Sequence, residues 1–169
     1  NPMLDDQNRL WSTATVRPPE NPDFCREGST HPSAQHFPLN QSRRHLAMYD
    51  PDTQEVEVFG TCFNTHHLFF SEDANDTLWF STLSDVLGWF DTKAWDATGD
   101  IAKSQGWMPF VLDLNGNGKL DEYVDPGDPV DPTKDQRIRG VGTGGMANYG
   151  VMPSPVEKTV VVPVRQAYS

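Results

Sequence analysis

A short pattern returns along this chain. Arg9-Leu10-Trp11-Ser12-Thr13 is echoed by Thr77-Leu78-Trp79-Phe80-Ser81, and His45–Thr53 (HLAMYDPDT) by Val86–Lys93 (VLGWFDTK). Tyr149–Val164 (YGVMPSPVEKTVVVPV) echoes His67–Phe80 as strand, short turn and strand. Self-similarity of this kind constrains a fold strongly, because each unit must bury its apolar face against the next.

The units read as antiparallel hairpins. His45–Tyr49 alternates like a strand, and Asp50-Pro51-Asp52-Thr53 supplies turn chemistry, with proline setting φ and aspartates offering acceptors. Val56, Val58 and Phe59 form the return strand, with Glu55 and Glu57 alternating against the valines. Leu68–Phe70 and Thr77–Ser81 make a second hairpin, and Asp85–Asp91 a further strand. Fourteen prolines and thirteen glycines leave little room for long helices. Five tryptophans, nine phenylalanines and four tyrosines supply the apolar area of pleated surfaces.

The expected fold is all-β: an antiparallel β-propeller segment of about two blades plus edges, spanning residues 1–169 as part of one propeller domain. A β-sandwich is the alternative. Residues 17–41, rich in Pro, Asn, Ser and His, read as a loop insertion without periodicity. A second insertion starts at Lys93, where Ala94–Ser104 has the makings of a short helix weakened by Gly99. Two blades alone expose sheet faces, so the segment is expected to pack against missing blades of a longer chain or against other copies.

A formal net charge of −11 argues against binding to a nucleic-acid backbone or an anionic membrane surface, and favours cations. No run approaches the apolar length of a membrane-spanning helix, so no membrane insertion is expected. Cys25 and Cys62 lie in no Cys-x-x-Cys motif. A disulfide between them would suit a secreted or periplasmic protein and would close a loop of about 36 residues, worth roughly 3–4 kcal/mol in the chain-entropy model. Two unrelated thiols are the other reading. Cys25, His31 and His36 lack an evident fourth ligand for a transition-metal site.

The strongest chemical signal lies within residues 113–125. Asp113-Leu114-Asn115-Gly116-Asn117-Gly118-Lys119-Leu120-Asp121 matches the first nine positions of an EF-hand-type loop. Ca²⁺ wants six to eight oxygens. Asp113, Asn115 and Asn117 offer side-chain oxygens, Lys119 its carbonyl, and Asp121 a direct or water-bridged carboxylate. Position twelve is Val124 rather than glutamate, so Glu122 or Asp125 would have to complete the shell. An Asn-Gly turn without metal is the simpler reading. His66 and His67 are the candidate catalytic residues. On a strand they would point to opposite faces, and one could serve as a general base.

The stretches Cys25–Gln41, His45–Asp52, Thr61–Leu68, Asp73–Trp79 and Ser104–Asp135, with its DLNGNGKLDEYVDP core, resemble a bacterial family of secreted propeller proteins. These are streptogramin-lyase-like in fold and often carry a carboxypeptidase-regulatory-like domain elsewhere. The resemblance covers most of the chain from Phe24 to about Pro155 and implies secretion and a propeller more than a reaction. Streptogramin lyases open a lactone by elimination, using magnesium and a histidine base; that motif has no residue-by-residue counterpart here. The expected function is therefore a calcium-binding propeller acting as a binding or scaffold module, with an unknown ligand at its blade loops. The alternative is a propeller lyase or hydrolase using a divalent metal and a histidine base.

Overall fold

The computed structural model describes residues 2–119, 122–138, 148–156 and 159–163. The fold is all-β. Strands β1 (Met3–Leu4), β2 (Leu10–Ala14), β3 (His45–Asp50) and β4 (Glu55–Phe59) form one antiparallel sheet in chain order. Strands β5 (Leu68–Phe70), β6 (Thr77–Ser81), β7 (Val86–Asp91) and β8 (Gln105–Pro109) form a second sheet with the same order and direction. Neither sheet contains a crossover.

The turns form where the sequence places aspartates. Asp5 Oδ1 accepts from the backbone N–H of Gln7 and Arg9, and Asp73 Oδ1 from Asn75 and Thr77. Asn8 and Asp76, each three residues further on, both take positive φ. Asp50 Oδ1 holds the β3–β4 turn by accepting from Asp52 N. Asp91 caps helix α2 (Thr92–Thr98) through Ala94 N, and Gly99 ends it at φ 64°. That helix is shorter than the expected 94–104, because the glycine's left-handed conformation closes the last turn.

The two sheets pack face to face. Trp11, Leu46 and Phe59 of the first meet Leu78, Phe80 and Phe90 of the second. Trp11 stacks on Phe59 at 5.3 Å and lies 5.6 Å from Phe90; Phe59 and Phe90 are 5.1 Å apart. Burying each such ring contributes about 1.5–3 kcal/mol. Burial of Leu78, Trp79 and Trp89 between sheets is the expectation for these hairpins; Leu78 lies there, but Trp79 and Trp89 do not. Strand alternation turns them to the opposite face of the second sheet, where they are half-buried, 5.7 Å apart. The indole of Trp89 lies flat over Gly106, where any Cβ would meet it at 2.2 Å.

Residues 17–41 are more ordered than their composition suggests. Cys25 and Cys62 form a disulfide. The buried Asn21 donates to the carbonyls of Leu39 and Cys62. Helix α1 (Pro32–His36) lies against β8, where Ser33 Oγ accepts from Trp107 N and the Phe37 carbonyl from Trp107 Nε1. His31 stacks on Trp107 at 4.9 Å. These contacts cover the edge of the second sheet, whose amides would otherwise invite another strand.

The remaining strands are short. β9 (Val111–Leu112), β10 (Tyr123–Val124) and β11 (Asp135–Arg137) make a three-stranded sheet in which β10 and β11 are parallel. β12 (Met152–Ser154) and β13 (Thr159–Val161) form a hairpin beside Trp79, on the face of the second sheet away from the first. Among the described residues no closed ring of sheets is present. The outer face of the first sheet exposes Leu4, Leu10, Tyr49 and Val56, which are direct neighbours across the four strands.

Candidate functional site

Two sequence-selected regions carry chemistry, and the structure keeps them in separate elements. The first is the loop after β9. Asp113 closes it: Oδ1 accepts from Gly116 N at 2.7 Å and Asn117 N at 3.2 Å, and Oδ2 from Gly118 N at 2.7 Å. Asn115 Oδ1 accepts from Asn117 N and Asn117 Oδ1 from Lys119 N. Gly116 and Gly118 take φ of 73° and 72°, which lets the backbone curl round the carboxylate. The oxygens of Asp113, Asn115 and Asn117 thus share one tight, exposed loop. Asp121 lies outside the described residues.

The two candidates for completing a metal shell are engaged elsewhere. Glu122 pairs with Lys134 Nζ at 2.8 Å, and Asp125 with Arg137 Nε at 3.0 Å. Among the described residues, no three His, Cys, Asp or Glu side chains gather in a metal-holding group. The donor set suits a hard cation in its chemistry: a carboxylate, two amide oxygens and the Lys119 carbonyl would hold Ca²⁺.

The second region is the entry to β5. His66 and His67 precede the strand rather than lying on it, so they are not split between its faces. Their rings sit 4.4 Å apart, and Tyr149 covers both, at 5.4 Å from His66 and 4.6 Å from His67. His67 is anchored at the exit of β6: its N–H donates to Ser81 Oγ, and Ser81 N donates to its carbonyl. Burial holds both imidazoles below the usual histidine range, and the positive charges of His67 and Arg44 push His66 further down. The Asn64 side chain clamps the neighbouring segment by accepting from Arg43 N and Arg44 N. Asn148 is wholly buried, and its Oδ1 accepts from Thr82 N at 3.2 Å.

Tyr149, Arg44 and Asn148 were not selected from the sequence. Asn148 meets Thr82 across a separation of 66 residues, which no local pattern encodes. His31 and His36 do not join Cys25 round a metal. The cysteine is disulfide-bonded, His31 lies on Trp107, and His36 packs edge-on against Tyr123. A cleft of about 530 Å³ opens between the 24–33 segment and Trp89, with Asp100 and Lys103 at its rim. Among the described residues, no helix is long and apolar enough to cross a membrane. No family model matches the chain, and neither a curated protein nor a solved structure is significantly similar to it.

Proposed function

We propose that the two sheets are blades of a secreted β-propeller, with the β12–β13 hairpin opening a third, and that the molecule is a calcium-binding scaffold presenting a ligand surface. Matching positions support the blade reading. Leu10 pairs with Tyr49 as Leu78 pairs with Phe90, and Trp11 with Met48 as Trp79 with Trp89. The face holding Leu78 and Phe90 packs on the first sheet, and the corresponding face of the first sheet, with Leu10 and Tyr49, is open. The face of Trp11 packs on the second sheet, and the matching face of Trp79 receives the β12–β13 hairpin. A stack in which each sheet presents the same face forwards is how blades follow one another; the Greek-key connections of a sandwich are not needed. The buried disulfide supports an oxidising destination.

The observation that carries calcium binding is the closure of the 113–119 loop on Asp113. In a calorimetric titration of chelator-treated protein, Ca²⁺ should bind and raise the melting temperature, and Asp113→Ala should abolish both effects. A titration without heat, together with an unchanged melting temperature, refutes this function.

The convergence of His66, His67 and Tyr149 favours a second reading, a lyase or hydrolase with a histidine base. Burial supports it by lowering both imidazoles, which favours the neutral form that accepts a proton. It lacks a metal-holding group beside them among the described residues.

A further inference from the structure

The patch at the entry to β5 has an unusual chemical balance for an acidic chain. Arg43 and Arg44 are exposed and belong to none of the ion pairs of the described residues, which use Arg9, Arg26, Lys93, Lys103, Lys134 and Arg137. His66 Nδ1 is buried without a hydrogen-bond partner. So is Asn148 Nδ2, on a side chain with no exposed surface. A buried amide left unpaired is costly, and such groups in folded proteins mark an absent water or ligand. Three links bring these groups together. Tyr149 follows Asn148 and touches both imidazoles. Asn148 is bonded to Thr82, next to the Ser81 that pairs with His67. Arg44 N donates to the side chain of Asn64, two residues before His66, and the Arg44 charge acts on the His66 ring.

We propose that Arg44, His66, Tyr149 and Asn148 form a binding site for an oxyanion, a carboxylate or phosphate group on a small solute. The guanidinium, the side-chain amide and the phenol all bring hydrogen-bond donors, and His66 adds one when Nδ1 carries the proton. The charges that act on His66, those of His67, Arg44 and the N-terminus, are all positive. A cation would meet like charge there, whereas an anion meets an arginine whose fork matches carboxylate or phosphate oxygens. The Tyr149 ring, half exposed at 51 %, forms one wall of the site. The site stands whether or not further sheets follow the two described here, so it does not rest on the propeller reading.

The test is a titration of the intact protein with inorganic phosphate and, separately, acetate, at ionic strength held constant with chloride. Binding is read from the ¹⁵N-labelled histidine ring resonances. Saturable shifts of His66 are expected with at least one probe, and the probe that saturates at lower concentration identifies the preferred group. Arg44→Gln, an exposed change that should leave the circular dichroism spectrum intact, should weaken binding about ten-fold or more, the effect of losing one charge-assisted contact. Lys103→Gln, outside the patch, should leave the affinity unchanged. Shifts that never saturate with either probe, or an Arg44→Gln titration that superimposes on the parent, overturn the proposal and leave ordered water as the partner of these groups.

Discussion

Asp5 shows how one carboxylate can hold a corner of this molecule together. Its side chain is fully buried, and it accepts from Gln7 N, Arg9 N, Arg9 Nε and Trp11 Nε1. Arg9 reaches on to Asp96 of α2 through two bonds, at 2.6 and 3.1 Å, tying the β1–β2 turn to the second sheet's helix. Burial alone would raise the Asp5 carboxyl; the bonds from Trp11 and Arg9 outweigh it and hold it below the usual carboxylate value. Its stabilising contribution is therefore complete above about pH 4 and disappears as pH falls through the lower folded value. Asp5→Asn leaves Arg9 short of a partner and should cost about 3 kcal/mol at pH 7. The deficit should shrink in urea denaturation at progressively lower pH, as the parent's own carboxylate protonates. An equal deficit at every pH would show that geometry, not charge, is what Asp5 supplies.

At the scale of elements, the sequence was legible where local chemistry decides the outcome. The turns after β3 and β5 and the strands 45–50, 55–59, 68–70, 77–81 and 86–91 follow from residues close in sequence, whereas the helix expected over 94–104 forms over Thr92–Thr98. The 17–41 segment was not legible as structure. Ser33, Phe37 and His31 act through Trp107, about 70 residues away, and no period marks them. The histidine site was half legible: the adjacent pair is visible in the sequence, but Tyr149 and Asn148 arrive from the distant segment before β12. The expectation put Trp79 and Trp89 on the wrong face, because alternation along a strand does not let Leu78 and Trp79 both point inward. The disulfide pins this covering segment across a separation of 37 residues. Replacing Cys25 and Cys62 together by serine should remove roughly 3–4 kcal/mol in the chain-entropy model. Hydrogen exchange of the double variant should show the Trp107 amide losing protection along with the 21–41 segment. Unchanged stability would mean that Asn21 and α1 hold the cover without help.

For the molecule as a whole, the open face of the first sheet is the dominant feature. Leu4 is 57 % exposed, Leu10 39 %, Tyr49 38 % and Val56 65 %, and the four form a continuous row. Isolated apolar residues at a surface are ordinary, but a row across four strands is the kind of patch that invites association. With that face uncovered, the 169-residue chain should self-associate at micromolar concentrations in sedimentation velocity. Val56→Lys places a charge in the row on an edge strand and should shift the distribution towards monomer. Identical sedimentation of the two proteins would show that the row is not what brings copies together.

The bond between Cys25 and Cys62 also makes part of the backbone a closed loop, which changes what a protease can do to it. Arg43 and Arg44, both exposed, lie inside that loop. A tryptic cut there opens the ring without releasing either piece. The nicked protein would stay in one piece under oxidising conditions, held by one covalent link and by the pairing of β2 with β3. Only a reductant would let the two fragments separate on a gel. Damage to this stretch, which carries the Arg44 whose charge acts on His66, would thus go unseen on a non-reducing gel.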